Sequence, residues 1–198
     1  MPKLILGTAE FGPKAYGEGR TDPIPLTEIE KILKLARLGG IKILEGAESY
    51  NCDEILKNSY FDIIYKVNHP YNLDRILASL ARTRLTGLLY HHTFDSPAQT
   101  VVPSPKVDYT GSSVYSFKQI LGREEMLEVP LNLDNREFEK ITAPVKLARS
   151  VFGRGKLLEK YSVKECLDYV KFNPTVHGVV IGVNSADELR EVLSAWNS

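Results

Sequence analysis

Short runs of Leu, Ile and Val alternate with amphipathic stretches along nearly the whole 198-residue chain. The apolar runs predict eight strands: Leu4–Gly7, Ile41–Leu44, Asp62–Lys66, Gly87–His91, Asp108–Val114, Leu127–Leu131, Val145–Ser150 and Gly178–Ile181. Most lack strict alternation, as parallel strands covered on both faces do. Between them, apolar residues recur at helical spacing. Ile29, Ile32, Leu33 and Ala36 share one face, as do Leu73, Ile76, Leu77 and Leu80, and Leu189, Val192, Leu193 and Trp196. Gly39-Gly40 ends the first of these helices. Five segments have the capping-box form, in which a short polar side chain and a Glu or Gln three residues on satisfy orphan amides. They are Thr27-x-x-Glu30, Asn51-x-x-Glu54, Ser116-x-x-Gln119, Ser162-x-x-Glu165 and Ser185-x-x-Glu188.

Eight strands alternating with helices predict a compact (β/α)8 barrel filling residues 1–198 as one domain. It is small for that fold, so one or two outer helices are expected to be shortened or missing. Pro97, Pro103 and Pro105 exclude a full helix from 93–106, and 132–143 has room only for a short turn. The rival, an open doubly wound sheet, carries a glycine-rich phosphate turn after its first strand. Gly17-Glu18-Gly19-Arg20 lacks the third glycine and does not follow a strand directly.

Composition narrows the function. Lys plus Arg balance Asp plus Glu at 25 each, which leaves no electrostatic footprint for nucleic acid or an anionic membrane. Neutrality mildly favours self-association. Neither an apolar leader nor a membrane-length apolar run is present. Cys52 and Cys166 lack metal-type spacing, both fall in expected helices, and they read as ordinary thiols of a cytoplasmic protein. The absence of HxH and HExxH patterns leaves no metal site to expect.

The strand ends carry the chemistry. Glu45 and Tyr50 follow the second strand, Lys66 ends the third and His91 the fourth. In a barrel of this kind these positions share the C-terminal mouth. Lys66 sits in the apolar run Ile63-Ile64-Tyr65-Lys66-Val67, and a buried ammonium needs a partner, for which Glu45 is the candidate. A nearby cation lowers a phenol's pKa, so Lys66 is expected to draw Tyr50 down towards neutrality. Tyr50 then serves as proton donor to a carbonyl oriented by His91. The hydride that completes a reduction must come from a cofactor.

These segments resemble the aldo-keto reductase family. Leu4-Ile5-Leu6-Gly7-Thr8 with Phe11-Gly12 is similar to its opening strand. Ile43-Leu44-Glu45-Gly46-Ala47-Glu48-Ser49-Tyr50 resembles its Phe-Ile-Asp-Thr-Ala-x-x-Tyr, Tyr65-Lys66-Val67 its Thr-Lys-Val, and Leu89-Tyr90-His91 its Leu-x-His. Gly111-Ser112-Ser113-Val114-Tyr115, Arg149-Ser150-Val151-Phe152 with Gly155, and Val180-Ile181-Gly182 with Ser185 and Leu189 are similar to later strands. The resemblance implies reduction of an aldehyde or ketone, possible sugar derivatives included, with NAD(P)H stretched across the mouth. It places Gly7 and Thr8 by the nicotinamide, Ser113 and Glu128 by its carboxamide, Arg149, Ser150 and Gly155 by the ribose and pyrophosphate, and Gly182 and Asn184 by the adenosine.

The chain departs from the family at Glu45 (Asp in the family), Glu128 (Gln), Glu188 (Arg or Gln) and Val192 (Asn). Glu188 would repel a 2′-phosphate, which slightly favours NADH over NADPH. Two other functions fit the same residues. One is a noncatalytic barrel acting as a binding or regulatory partner. The other is a lyase or isomerase using Lys66 or the Tyr50/His91 pair.

Overall fold

The computed structural model describes residues 1–13, 22–68, 70–80 and 83–198. The Gly17–Arg20 segment lies outside them. Eight parallel strands close a barrel in chain order: β1 Lys3–Gly7, β2 Ile43–Ala47, β3 Asp62–Val67, β4 Leu85–His91, β5 Tyr109–Ser113, β6 Met126–Pro130, β7 Val145–Arg149 and β8 Gly178–Ile181. All eight expected strands are present. The second begins and ends later than its apolar run, because Ile41 is spent closing the first helix, its amide donating to Ala36 O at 3.0 Å. The ladder then continues through Glu45, Gly46 and Ala47, opposite Ile64, Tyr65 and Lys66. Glu45 therefore lies inside a strand rather than after one.

Among the described residues, five α-helices cover part of the outside: α1 Leu26–Leu38, α2 Asp53–Asn58, α3 Leu73–Ser79, α4 Val163–Lys171 and α5 Ala186–Asn197. The Ser162 box forms as expected, with Glu165 N donating to Ser162 Oγ and Ser162 N to Glu165 Oε2. The Ser185 box forms by half. Ser185 caps α5, but Glu188 Oε2 takes Asn184 N instead of Ser185 N. Thr27 and Asn51 do not cap. Thr27 is already inside α1, where Pro25 O accepts the first amides. Asn51 adopts a left-handed conformation, φ 54°, and leaves Cys52 to lead into α2. Asn72 does cap α3, its side chain accepting Arg75 N at 3.0 Å.

Among the described residues, three consecutive connections carry no α-helix. The expected losses occur after β4 and after β6, and behind the Ser116 box only the 3-10 turn Phe117–Gln119 forms. Buried polar side chains replace the missing helices. His92 bridges Ser96 Oγ and Gln99 O, both at 2.9 Å, and Ser112 Oγ donates to Gln99 O at 2.8 Å. Gln119 Nε2 donates to Thr93 O at 2.8 Å while its Oε1 accepts Tyr115 N at 2.7 Å. After β6, the buried Lys146 Nζ reaches Phe138 O (2.6 Å), Ile141 O (2.9 Å) and Thr175 Oγ1 (2.8 Å). Burial pushes this ammonium down to about 8, and its ring of acceptors holds the charged form in place.

Inside the barrel, Ile5, Ile64, Leu89, Met126, Leu147 and Val180 pack into one apolar layer, with Ile43 and Val145 against it. Side chains alternate sides along a strand. The residues two further on therefore form the next layer up: Gly7, Glu45, Lys66, His91, Glu128, Arg149 and Gly182. A bulge helps set this level. Thr86 is an extra residue between Leu85 and Gly87, which pair with Ile63 and Ile64. It brings Leu89 opposite Lys66, so that His91 points inward just above.

Candidate active site

The upper layer is the floor of a cavity of about 260 Å³ lined by Gly7, Glu45, Tyr50, Lys66, His91, Glu128 and Arg149. From the floor it runs out as a groove past Ser150, Phe152, Arg154, Gly155 and Leu158 on one side, and Gly182, Val183, Asn184, Glu188 and Glu191 on the other.

Lys66 organises the floor. Its Nζ pairs with Glu45 Oε1 and lies 3.3 Å from Glu128 Oε1. The expected Glu45 partner is present, and Glu128, 62 residues away in sequence, is a second. All three side chains are buried. Burial opposes the charge on Lys66, but Glu128 and Glu45 outweigh it and hold the amine well above its usual range. Burial also pushes Glu45 up to about 7, against the pull of Lys66. For Glu128, burial is overcome by Lys66 and Arg149, which keep it below the usual carboxylate range.

Tyr50 stands on the 3-10 turn after β2, with Lys66 Nζ 5.1 Å from its ring centre. The His91 ring approaches it edge-on at 6.0 Å. Contrary to the sequence expectation, the phenol is not drawn towards neutrality. Burial, followed by the Glu45 charge, raises its pKa, and the opposing effect of Lys66 is smaller. His91 moves the other way. Burial and then Lys66 depress it to about 3, which leaves a neutral imidazole.

Arg149 closes the floor. Its Nε lies 3.3 Å from Glu128 Oε1, its Nη2 donates to Val114 O at 2.8 Å, and its guanidinium stacks 4.2 Å from the Tyr115 ring centre. Ser113 sits behind Glu128 and donates to Oε1 at 3.0 Å. Two expected site residues do not line the cavity: Ser113, which backs Glu128, and Thr8, which faces elsewhere. Thr8 is one position out of phase with Gly7, and its Oγ1 donates to Glu45 O and touches Cys52 Sγ. Its role is to fasten β1 to β2. Ser150, Gly155, Gly182 and Asn184 all line the groove. The sequence reading missed the second partner of Lys66. A glutamate inside Met-Leu-Glu-Val-Pro, a run buried throughout, is the signal that could have found it.

The same barrel recurs in solved structures with TM-scores of 0.70–0.77. An aldo-keto reductase structure from Pseudomonas aeruginosa matches at 0.77 with 19% identity, over 98% of this chain and 88% of that one. One from Klebsiella pneumoniae, in complex with NADP and acetate, matches at 0.71 with 16% identity, over 100% and 87%. A glycerol dehydrogenase from Gluconobacter oxydans matches at 0.70 with 15% identity, over 98% and 86%.

The fold is that of the aldo-keto reductases.

No family model matches the sequence, and no curated protein sequence does. The likeness is therefore carried by the backbone. No helix among the described residues is long and apolar enough to cross a membrane.

Proposed function

We propose that the protein reduces a small-molecule carbonyl compound to the alcohol with a nicotinamide cofactor. One observation carries this reading: a protonated phenol, a charged amine and a neutral imidazole meet at the floor of one cavity. Tyr50 keeps its proton at neutral pH and can give it up only where a stronger base, a developing alkoxide, forms beside it. Lys66, held charged by Glu128 and Glu45, stabilises the phenolate left behind. His91 offers a single N–H to orient the carbonyl oxygen. Because Lys66 is held protonated, it is a poor nucleophile, which argues against the Schiff-base alternative.

The residues of the groove fit the cofactor, which supplies hydride when bound. Glu128 Oε2 is a buried acceptor with no hydrogen-bond partner among the described residues, suited to a carboxamide N–H. Gly155 has nothing within 4 Å of where a Cβ would stand, and Gly182 only Glu10 near that limit, so an extended ligand can lie against bare backbone. At the outer end, the Glu188 and Glu191 carboxylates border the groove. They favour NADH, whose ribose has a free diol, over NADPH, whose 2′-phosphate they repel. A cytoplasmic site of action accords with two free cysteines.

Titrating the protein with NADH and with NADPH, read by nicotinamide fluorescence, tests the proposal, followed by cofactor consumption across a panel of aldehydes and ketones. Binding of at least one cofactor is expected, NADH the more tightly. No binding of either would end the reading.

A further inference from the structure

Glu128 is the most heavily engaged group of the floor, and its two oxygens differ. Oε1 meets Lys66, Ser113 and Arg149, all within 3.3 Å. Oε2 is equally buried and has no hydrogen-bond partner among the described residues. The floor places two cations, Lys66 and Arg149, against two carboxylates, Glu45 and Glu128, around a neutral imidazole. Removing the charge of Glu128 shifts this balance one unit towards positive, whatever the protonation of Glu45.

The two forms of a nicotinamide differ by one hydride, a proton with two electrons, and by one unit of positive charge on the ring. A ring that exchanges hydride with a carbonyl protonated by Tyr50 must lie on this floor. The carboxamide N–H that suits Glu128 Oε2 is common to both forms. The field of the carboxylate therefore acts mainly on the oxidised form, which alone carries the positive ring.

We propose that Glu128 sets the redox preference of the site: its charge offsets Lys66 and Arg149, so that the cationic, oxidised nicotinamide is retained alongside the reduced one. A glutamine would make the same shape and could meet the same carboxamide, but would leave the oxidised ring facing uncompensated cations. On the protein, the step carbonyl plus NADH plus H⁺ giving alcohol plus NAD⁺ is thereby brought nearer to balance between its bound states, while the overall equilibrium in solution is unchanged. The inference rests on the reductase reading above.

The test measures dissociation constants for NAD⁺ and NADH by calorimetry, without turnover, in the wild-type protein and in Glu128→Gln, Ser113→Ala and Arg149→Gln. Glu128→Gln is expected to weaken NAD⁺ by about tenfold or more and NADH by less than about threefold, the scale on which one charge acts across a few ångströms of a partly buried site. Ser113→Ala removes a contact to Glu128 but no charge and should leave the ratio of the two constants unaltered. Arg149→Gln removes a cation and should move the ratio towards NAD⁺. It keeps the test decisive if Glu128→Gln fails to fold. A ratio unmoved, or moved the opposite way, in whichever charge variant folds, or moved equally by Ser113→Ala, overturns the inference. Failure of the wild-type protein to bind either form overturns the reductase reading instead.

Discussion

The floor of the cavity and the groove leading out from it are built on opposite principles. On the floor, Glu45, Lys66 and Glu128 are shut away from water and bound to one another. At the outer end of the groove, Glu188 and Glu191 are exposed, and the Glu188 carboxylate accepts the neighbouring Asn184 amide. A buried ion pair loses its hydration, so each charge depends on the others. An exposed carboxylate keeps its water and acts mainly on whatever ligand arrives. The floor should therefore resist change and report it in both stability and chemistry, whereas the groove should tolerate change and report it in ligand choice.

The sharpest way to break this contrast is Lys66→Met. It strands two buried carboxylates and is expected to cost about 3–5 kcal/mol of stability, measured by urea unfolding, with carbonyl reduction abolished. Adding Glu45→Leu to the same variant should recover part of the stability and none of the activity. A full recovery of turnover would show that the amine has no chemical role.

Tyr50→Phe separates chemistry from binding. Loss of the hydroxyl proposed as proton donor should lower turnover by about 10²–10⁴-fold, with the dissociation constant for cofactor within about twofold of wild type. Equal losses in both quantities would assign Tyr50 to cofactor binding instead.

His91 gives the floor a pH signature. Its folded pKa, about 3, lies below the ordinary value of 6.5. Below pH 6.5 the unfolded chain takes up a proton at this position and the folded one does not, so stability is lost as pH falls from about 6.5 towards 3. In His91→Gln this part of the acid limb should flatten, as followed by thermal unfolding at a series of pH values. An unchanged limb would mean the imidazole is not held neutral.

The smallest effect is expected in the groove. Glu188→Gln should improve NADPH relative to NADH by about two- to fivefold, the scale of one exposed charge, and leave unfolding within about 0.5 kcal/mol of wild type. A larger stability loss would move Glu188 into the load shared by the α5 cap.

How much of this was readable from the chain differs element by element. The strands were readable because runs such as Ile63-Ile64-Tyr65 are buried on both faces and show it in composition. The caps were readable where the box alone decides, as at Ser162, and not where Pro25 or the left-handed Asn51 preempts it. The polar staples of the helix-free side were not readable. Lys146 reads as a surface lysine until the backbone carbonyls of 138–141 are folded around it.

By itself the sequence determined that strands and helices alternate, and that Lys66, His91 and Glu128 belong to strands, because local apolar runs and backbone propensity act over a few residues. Only the tertiary structure decided that Lys66 meets Glu128 as well as Glu45, that Thr8 turns away while Gly7 faces in, and that the phenol of Tyr50 keeps its proton. Those outcomes depend on register around a closed barrel, including the single extra residue at Thr86, and on the loss of water when all eight strands meet. Neither exists until the ring is complete.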